Sequence, residues 1–185
     1  MSVVTFVGKA TNAPPTLAPV ASRTINAGFP LSVTNFATDP DLPTESLTFS
    51  LLTGPTNATL TPLNATNAVF AWRPLVNQAG TIYPVSVVVV DSDWPRLSAT
   101  NHFTVTVNPL TNPVISSVTV TGGQMTLGVT DRGLQGPDYT LETATNLLGN
   151  WQALYTLGST NSRVTQMTDT NSTDSARFYR LQIGP

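Results

Sequence analysis

The run Tyr83-Pro84-Val85-Ser86-Val87-Val88-Val89-Val90 leads directly into Asp91-Ser92-Asp93-Trp94-Pro95, and reading these two segments decides the fold. Nearly continuous valine indicates a strand that is covered on both faces or lies centrally in its sheet. The polar tail closed by proline ends that strand. Further on, Phe103, Val105 and Val107 alternate with Thr104 and Thr106; upstream, Leu47, Phe49 and Leu51 alternate with Thr48 and Ser50. Alternation of this kind marks half-buried strands. Prolines at 14, 15, 19, 30, 40, 43, 55, 62, 74, 84, 95, 109 and 113 leave little room for a helix before residue 114. Short strands with turn residues every ~8–12 positions read as a β-sandwich over 11–108.

Residues 109–113 form a proline-bounded linker, after which the pattern restarts. Val118/Val120, Met125/Leu127/Val129, Tyr139/Leu141, 151–157, 164–167 and Tyr179/Leu181/Ile183 are the strand candidates, with Gly122-Gly123 as a hairpin turn. A helix has a candidate only at 141–148, where Thr143 and Thr145 make it poor. The expected fold class is all-β, two tandem Ig-like β-sandwich domains at 11–108 and 114–185. The second, at about 70 residues, is short for a full seven-stranded sandwich.

Met1 to Val7 lacks the basic start, long apolar stretch and small-residue cleavage site of a secretory signal. The segment is expected to come from a longer protein. Residues 3–7 (Val-Val-Thr-Phe-Val) parallel 103–107, and each run is followed by a short linker, Thr-Asn and proline. Residues 1–10 therefore read as a linker or the tail of a preceding module in an array.

The chain has 185 residues, 40% apolar and only 10% charged, with no cysteine. Disulfides, zinc ribbons and thiol catalysis are excluded. A net charge of -2 from 8 basic and 10 acidic residues argues against a nucleic-acid partner. The longest apolar stretch, near 87–90, is too short to span a membrane.

Asp39-Pro40-Asp41 precedes one strand candidate and Asp91-Ser92-Asp93 follows another, which places four carboxylates at strand ends. Hard cations such as Ca²⁺ take six to eight oxygens, and an Asp-x-Asp loop supplies two. The same aspartates also suit simple turn formation.

Residues 11–108 resemble the cadherin-like and immunoglobulin-like modules of bacterial secreted and surface proteins. The resemblance rests on Asn12-Ala13-Pro14, Asp39-Pro40-Asp41, Leu47-Thr48-Phe49-Ser50, Phe70-Ala71-Trp72-Arg73-Pro74, Gln78-Ala79-Gly80-Thr81, Asp91-Ser92-Asp93, Pro95-Arg96-Leu97-Ser98 and 103–107. It implies a junctional Ca²⁺ site using Asp39, Asp41, Asp91 and the linker Asn12. Tyr139-Thr140-Leu141-Glu142, Trp151-Gln152-Ala153-Leu154 and Arg177-Phe178-Tyr179-Arg180-Leu181 resemble fibronectin type III-like repeats of secreted bacterial proteins. Together these imply a non-catalytic extracellular or cell-surface module that adjoins other modules of its parent chain and is stiffened by Ca²⁺.

Two other functions remain. Trp94, between Asp93 and Pro95, suits stacking on a sugar ring in a carbohydrate-binding or accessory module; it also suits folding back over the sheet end. A glycosidase needs two carboxylates ~5–9.5 Å apart, and Asp39, Asp41, Asp91 and Asp93 offer that spacing, as almost any acidic loop pair does. No catalytic residue is assigned. His102, the only histidine, reads as a solvated strand-end residue, and no Gly-x-Ser-x-Gly elbow is present. Trp72 and Trp151 are expected to pack. The Asn57, Asn64 and Asn171 acceptor patterns arise readily in so Thr- and Asn-rich a chain.

Overall fold

The structure is a computed structural model that describes residues 11–41, 45–110, 114–130, 138–157, 166–170 and 176–184. The run at 3–7, linker residues 111–113, Val164 and Asn171 lie outside the described residues. No α-helix occurs among those described; a 3₁₀ turn, Val76–Gln78, is the helical element.

Eight strands make two four-stranded sheets. The first sheet has the order β1-β3-β6-β5, with β1 Thr16–Leu17, β3 Leu31–Thr38, β5 Thr59–Pro62 and β6 Asn67–Trp72. The second has the order β2-β8-β7-β4, with β2 Arg23–Ile25, β4 Thr48–Thr53, β7 Ile82–Val90 and β8 Ser98–Val107. These are the two sheets of an immunoglobulin-like sandwich, with β2 added parallel to the β8 edge. Six further strands form two three-stranded sheets. One is β13-β10-β9, with β9 Val114–Thr121, β10 Gln124–Thr130 and β13 Gln166–Asp169. The other is β12-β11-β14, with β11 Asp138–Ala144, β12 Gln152–Leu157 and β14 Phe178–Gly184. The segment 141–148, the one helix candidate, is therefore strand as far as Ala144 and turn beyond it.

The described residues fall into two compact units, one within 11–21, Ser32–Ala71 and Pro84–Thr104, the other within Ser22–Leu31, Trp72–Tyr83 and 105–184. In the first, Val33, Ala37, Phe49, Phe70, Val85, Val87, Val89 and Phe103 are buried, as the period-2 pattern requires. Phe70 and Phe103 meet edge to face at 5.7 Å. Asn35 interrupts this apolar set: it is fully buried, and its Nδ2 donates to the Val33 carbonyl at 3.3 Å. In the second unit, Trp72 packs edge to face on Tyr83 at 5.0 Å, and Met125, Leu127, Val129, Leu141 and Met167 form a separate cluster.

The valine run takes the central of its two expected settings. β7 lies between β8 and β4, with Val85, Val87 and Val89 buried and the alternate residues half-buried. Gly122 and Gly123, at φ 60° and 78°, make the β9–β10 turn, a conformation that favours glycine at both positions.

Phe70→Ala leaves a cavity between the sheets and is expected to cost about 3–5 kcal/mol in urea unfolding, whereas a loss below ~1 kcal/mol would contradict the edge-to-face core described above.

Candidate metal centre

The end of β3, the end of β7 and the segment preceding β1 meet at one pole of the first unit. Asp39, one residue past β3, accepts the Asp41 N–H on Oδ1 at 2.8 Å, which turns the chain around Pro40. Asp41 Oδ2 in turn accepts the Ala13 N–H at 2.9 Å. Asp91, one residue past β7, closes its own loop: its N–H donates to the Leu97 carbonyl at 3.1 Å, and its Oδ1 accepts the Leu97 N–H at 3.0 Å. Asn12 Nδ2 donates to Asp91 Oδ2 at 3.0 Å and to the Pro95 carbonyl at 2.7 Å. The Thr48↔Val90 register brings the residues before β4 alongside this loop, where Ser92 Oγ accepts the Ser46 N–H at 3.0 Å.

The result is a concentration of oxygens that receive no hydrogen bond. One carboxylate oxygen from each of Asp39, Asp41 and Glu45 lies within 4.8 Å of the other two. Asp39 and Glu45 are 7% and 6% exposed. Among the buried atoms, Asp39 Oδ2 and Asn12 Oδ1 have no hydrogen-bond partner. Buried carboxylates without donors or cations are costly. Burial above all, then a hydrogen bond to the Asp93 carboxylate and the charges of Asp93, Asp39 and Asp41, pushes Glu45 from 4.5 up to about 7. An all-oxygen set of this charge suits a hard divalent cation, and Ca²⁺ best, because it tolerates irregular geometry and several carboxylates.

Of the residues singled out in the sequence, Asp39 and Asp41 belong to this trio. Asp91 lies outside it and organises the loop, although each of its oxygens keeps a further lone pair. The chain at 12–13 links the two, Asn12 Nδ2 donating to Asp91 and the Ala13 N–H to Asp41. Glu45 was not legible as a ligand: it stands outside the Asp-x-Asp motif, and the signal for it is that this chain has only two glutamates, one of them four residues after Asp41. Trp94 is 86% exposed at the tip of the Asp91 loop. His102 lies within β8 rather than at its start, with Nδ1 2.8 Å from Ser86 Oγ of adjacent β7 on an exposed surface. Trp72 is buried, whereas Trp151 carries the Arg180 guanidinium 4.5 Å above its ring. Asn64 Oδ1 accepts the Thr66 N–H at 2.9 Å, a turn role.

No family model matches the chain, and no curated protein matches it. Among solved structures it is similar to an endo-fucoidan hydrolase of glycoside hydrolase family 107 (18% identity, TM-score 0.41, covering 66% of this chain and 17% of that one). It is also similar to human CDH23 EC21-23 (18%, TM-score 0.44, covering 90% and 62%) and to a titin segment (12%, TM-score 0.36, covering 94% and 61%). The chain thus spans less than two thirds of each of these three. The immunoglobulin-like topology stands on the strand pairing itself. No described helix is long and apolar enough to cross a membrane.

In cation-free buffer the folded chain holds a proton on Glu45 between about pH 4.5 and about 7 that the unfolded chain has released. Stability is therefore expected to fall as pH rises through that window, and Glu45→Gln to flatten the slope. Urea unfolding at several pH values checks this; an identical slope in the variant contradicts it.

Proposed function

We propose that this chain is a non-catalytic structural module of a larger secreted or surface protein, held rigid by Ca²⁺ at the Asp39–Asp41–Glu45 pole. Asp91 and Asn12 complete the oxygen set, and the neighbouring modules of the parent chain are its partners. The observation that carries this reading is the cluster of Asp39, Asp41 and Glu45 carboxylates, with buried oxygens of Asn12 and Asp39 beside it that receive no hydrogen bond. A cation neutralises them and locks together three segments that are distant in sequence. Ca²⁺ that binds only the folded state adds about 2.7 kcal/mol at a hundredfold excess over Kd, a midpoint shift on the order of 10 °C for a domain of this size. Thermal unfolding in EDTA and in excess Ca²⁺ is expected to show that shift, and Asp39→Asn to abolish it. Equal midpoints in the two buffers would overturn the reading.

A second reading is favoured by the 86% exposure of Trp94, which is unusual for an indole on a loop this well tethered. In it the chain is an accessory module that stacks a polysaccharide on that ring. Glycan-array binding that disappears in Trp94→Ala, with unfolding unchanged, is the expected outcome; a blank array removes it.

A further inference from the structure

The fold brings one more carboxylate to the edge of the acidic trio. Asp93 shares a hydrogen bond with Glu45, and the charges acting on Glu45 are those of Asp93, Asp39 and Asp41. Asp93 stands outside the trio itself, whose ligand oxygens lie within 4.8 Å of one another. It also comes from another part of the chain. Asp39, Asp41 and Glu45 belong to the connection between β3 and β4, whereas Asp93 belongs to the loop between β7 and β8. The Ser46 N–H donates to Ser92 Oγ at 3.0 Å and so ties the two segments beside the Glu45–Asp93 contact.

The trio by itself undersupplies a hard cation. Ca²⁺ takes about six to eight oxygens. Asp39 Oδ1 already accepts the Asp41 N–H, and Asp41 Oδ2 the Ala13 N–H. Asp39 Oδ2, on a side chain only 7% exposed, is the opposite case: a buried acceptor that no donor reaches and that a cation satisfies. Asp91 spends both its oxygens on Leu97 and Asn12. Asp93 differs from Asp91, because its contact with Glu45 joins two carboxylates. A cation placed between them exchanges that contact for two ligand bonds.

Trp94 follows Asp93 directly. At 86% exposure its direction is set by its backbone rather than by packing. Asn12 Nδ2 holds the Pro95 carbonyl at 2.7 Å and the Asp91–Leu97 bonds close the loop, so both its ends are clamped. A displacement of the Asp93 carboxylate is passed to the indole through one peptide link. We propose that Asp93 is a fourth carboxylate ligand of the cation at this pole, and that its capture couples occupancy of the site to Trp94, making the indole a cation-controlled stacking surface. This inference rests on the cation reading of the Asp39–Asp41–Glu45 pole and adds to it a ligand and a regulated face.

Ca²⁺ titration of the full chain, followed by calorimetry and by tryptophan emission, tests it. Asp93→Asn is expected to bind Ca²⁺ roughly tenfold more weakly or worse. In EDTA the same variant is expected to unfold at an equal or higher midpoint than the parent chain, because it removes a negative charge from beside Glu45. Ca²⁺ is expected to change the tryptophan emission of the parent chain. That change should be absent from Trp94→Phe, which keeps its Ca²⁺-induced midpoint rise, and from Asp93→Asn at saturating Ca²⁺. A midpoint that falls in EDTA assigns Asp93 to the fold and overturns the proposal. Parent-like Ca²⁺ affinity in Asp93→Asn, or emission that Ca²⁺ leaves unchanged, overturns it too, while a Ca²⁺-dependent midpoint in the parent chain leaves the cation reading standing. Equal midpoints in EDTA and Ca²⁺ for the parent chain overturn both.

Discussion

Asp91 accepts hydrogen bonds on both oxygens, from the Leu97 N–H and the Asn12 side chain, and the pole of the first unit is organised around that carboxylate. Asn12 carries the tie to Pro95, Ala13 carries it to Asp41, and the Ser46–Ser92 bond brings in the loop that holds Glu45. Each bond is local and modest. Together they gather Asp39, Asp41, Glu45, Asp91 and Asp93, half of the chain's ten acidic residues, at one end of the sandwich. Polar ties satisfy Asp91, whereas Asp39 Oδ2 and Glu45 are left buried beside other carboxylates. The rise of Glu45 to about 7 is the protein's response when only protons are available. A divalent cation is the response that leaves every carboxylate ionised.

Trp94 follows from the same organisation. The Asp91–Leu97 bonds and the Asn12–Pro95 bond hold both ends of its loop, so the indole points outward on a tethered support instead of folding over the sheet. The sequence alone left both placements open. Loop residues take their direction from long-range bonds, here between residues 12 and 91 and between 12 and 95.

What was legible in the sequence is what depends on neighbours along the chain. Alternation marked the strands at 47–51 and 103–107, the valine run marked 83–90, and Gly122-Gly123 marked its turn, because side-chain period and positive φ are local demands. Asp39 and Asp41 were legible for the same reason, being two residues apart at a strand end. Glu45 was not, since it stands outside the Asp-x-Asp motif and is brought to it by the folding of the connection between β3 and β4. The segment 141–148 mixes Leu, Ala and Glu with two threonines, and pairing with β12 and β14 decided it as strand as far as Ala144. The alternation of Val118 and Val120 correctly marked a strand, but not that these residues would stand 60% and 70% exposed while their partners Leu127 and Met125 are buried, because burial depends on what packs across the sheet and not on their own segment.

A chain with only 10% charged residues must solvate its sheets by other means, and it does so with paired hydroxyls. Thr16–Thr38, Thr126–Thr168 and Thr140–Thr156 meet across strands at 2.7, 3.2 and 3.0 Å. That solution suits sheet faces better than sheet edges, which soluble proteins usually guard with lysine, proline or inward charge. β9 carries no charged residue and no proline along its eight positions. β14 has a single arginine, and its guanidinium is drawn over the sheet face by Glu142 at 2.6 Å and by the Trp151 ring at 4.5 Å. Among the described residues these two edge strands thus lack the usual defences against pairing, while half of the acidic residues that could have supplied them are gathered at the Asp91 pole.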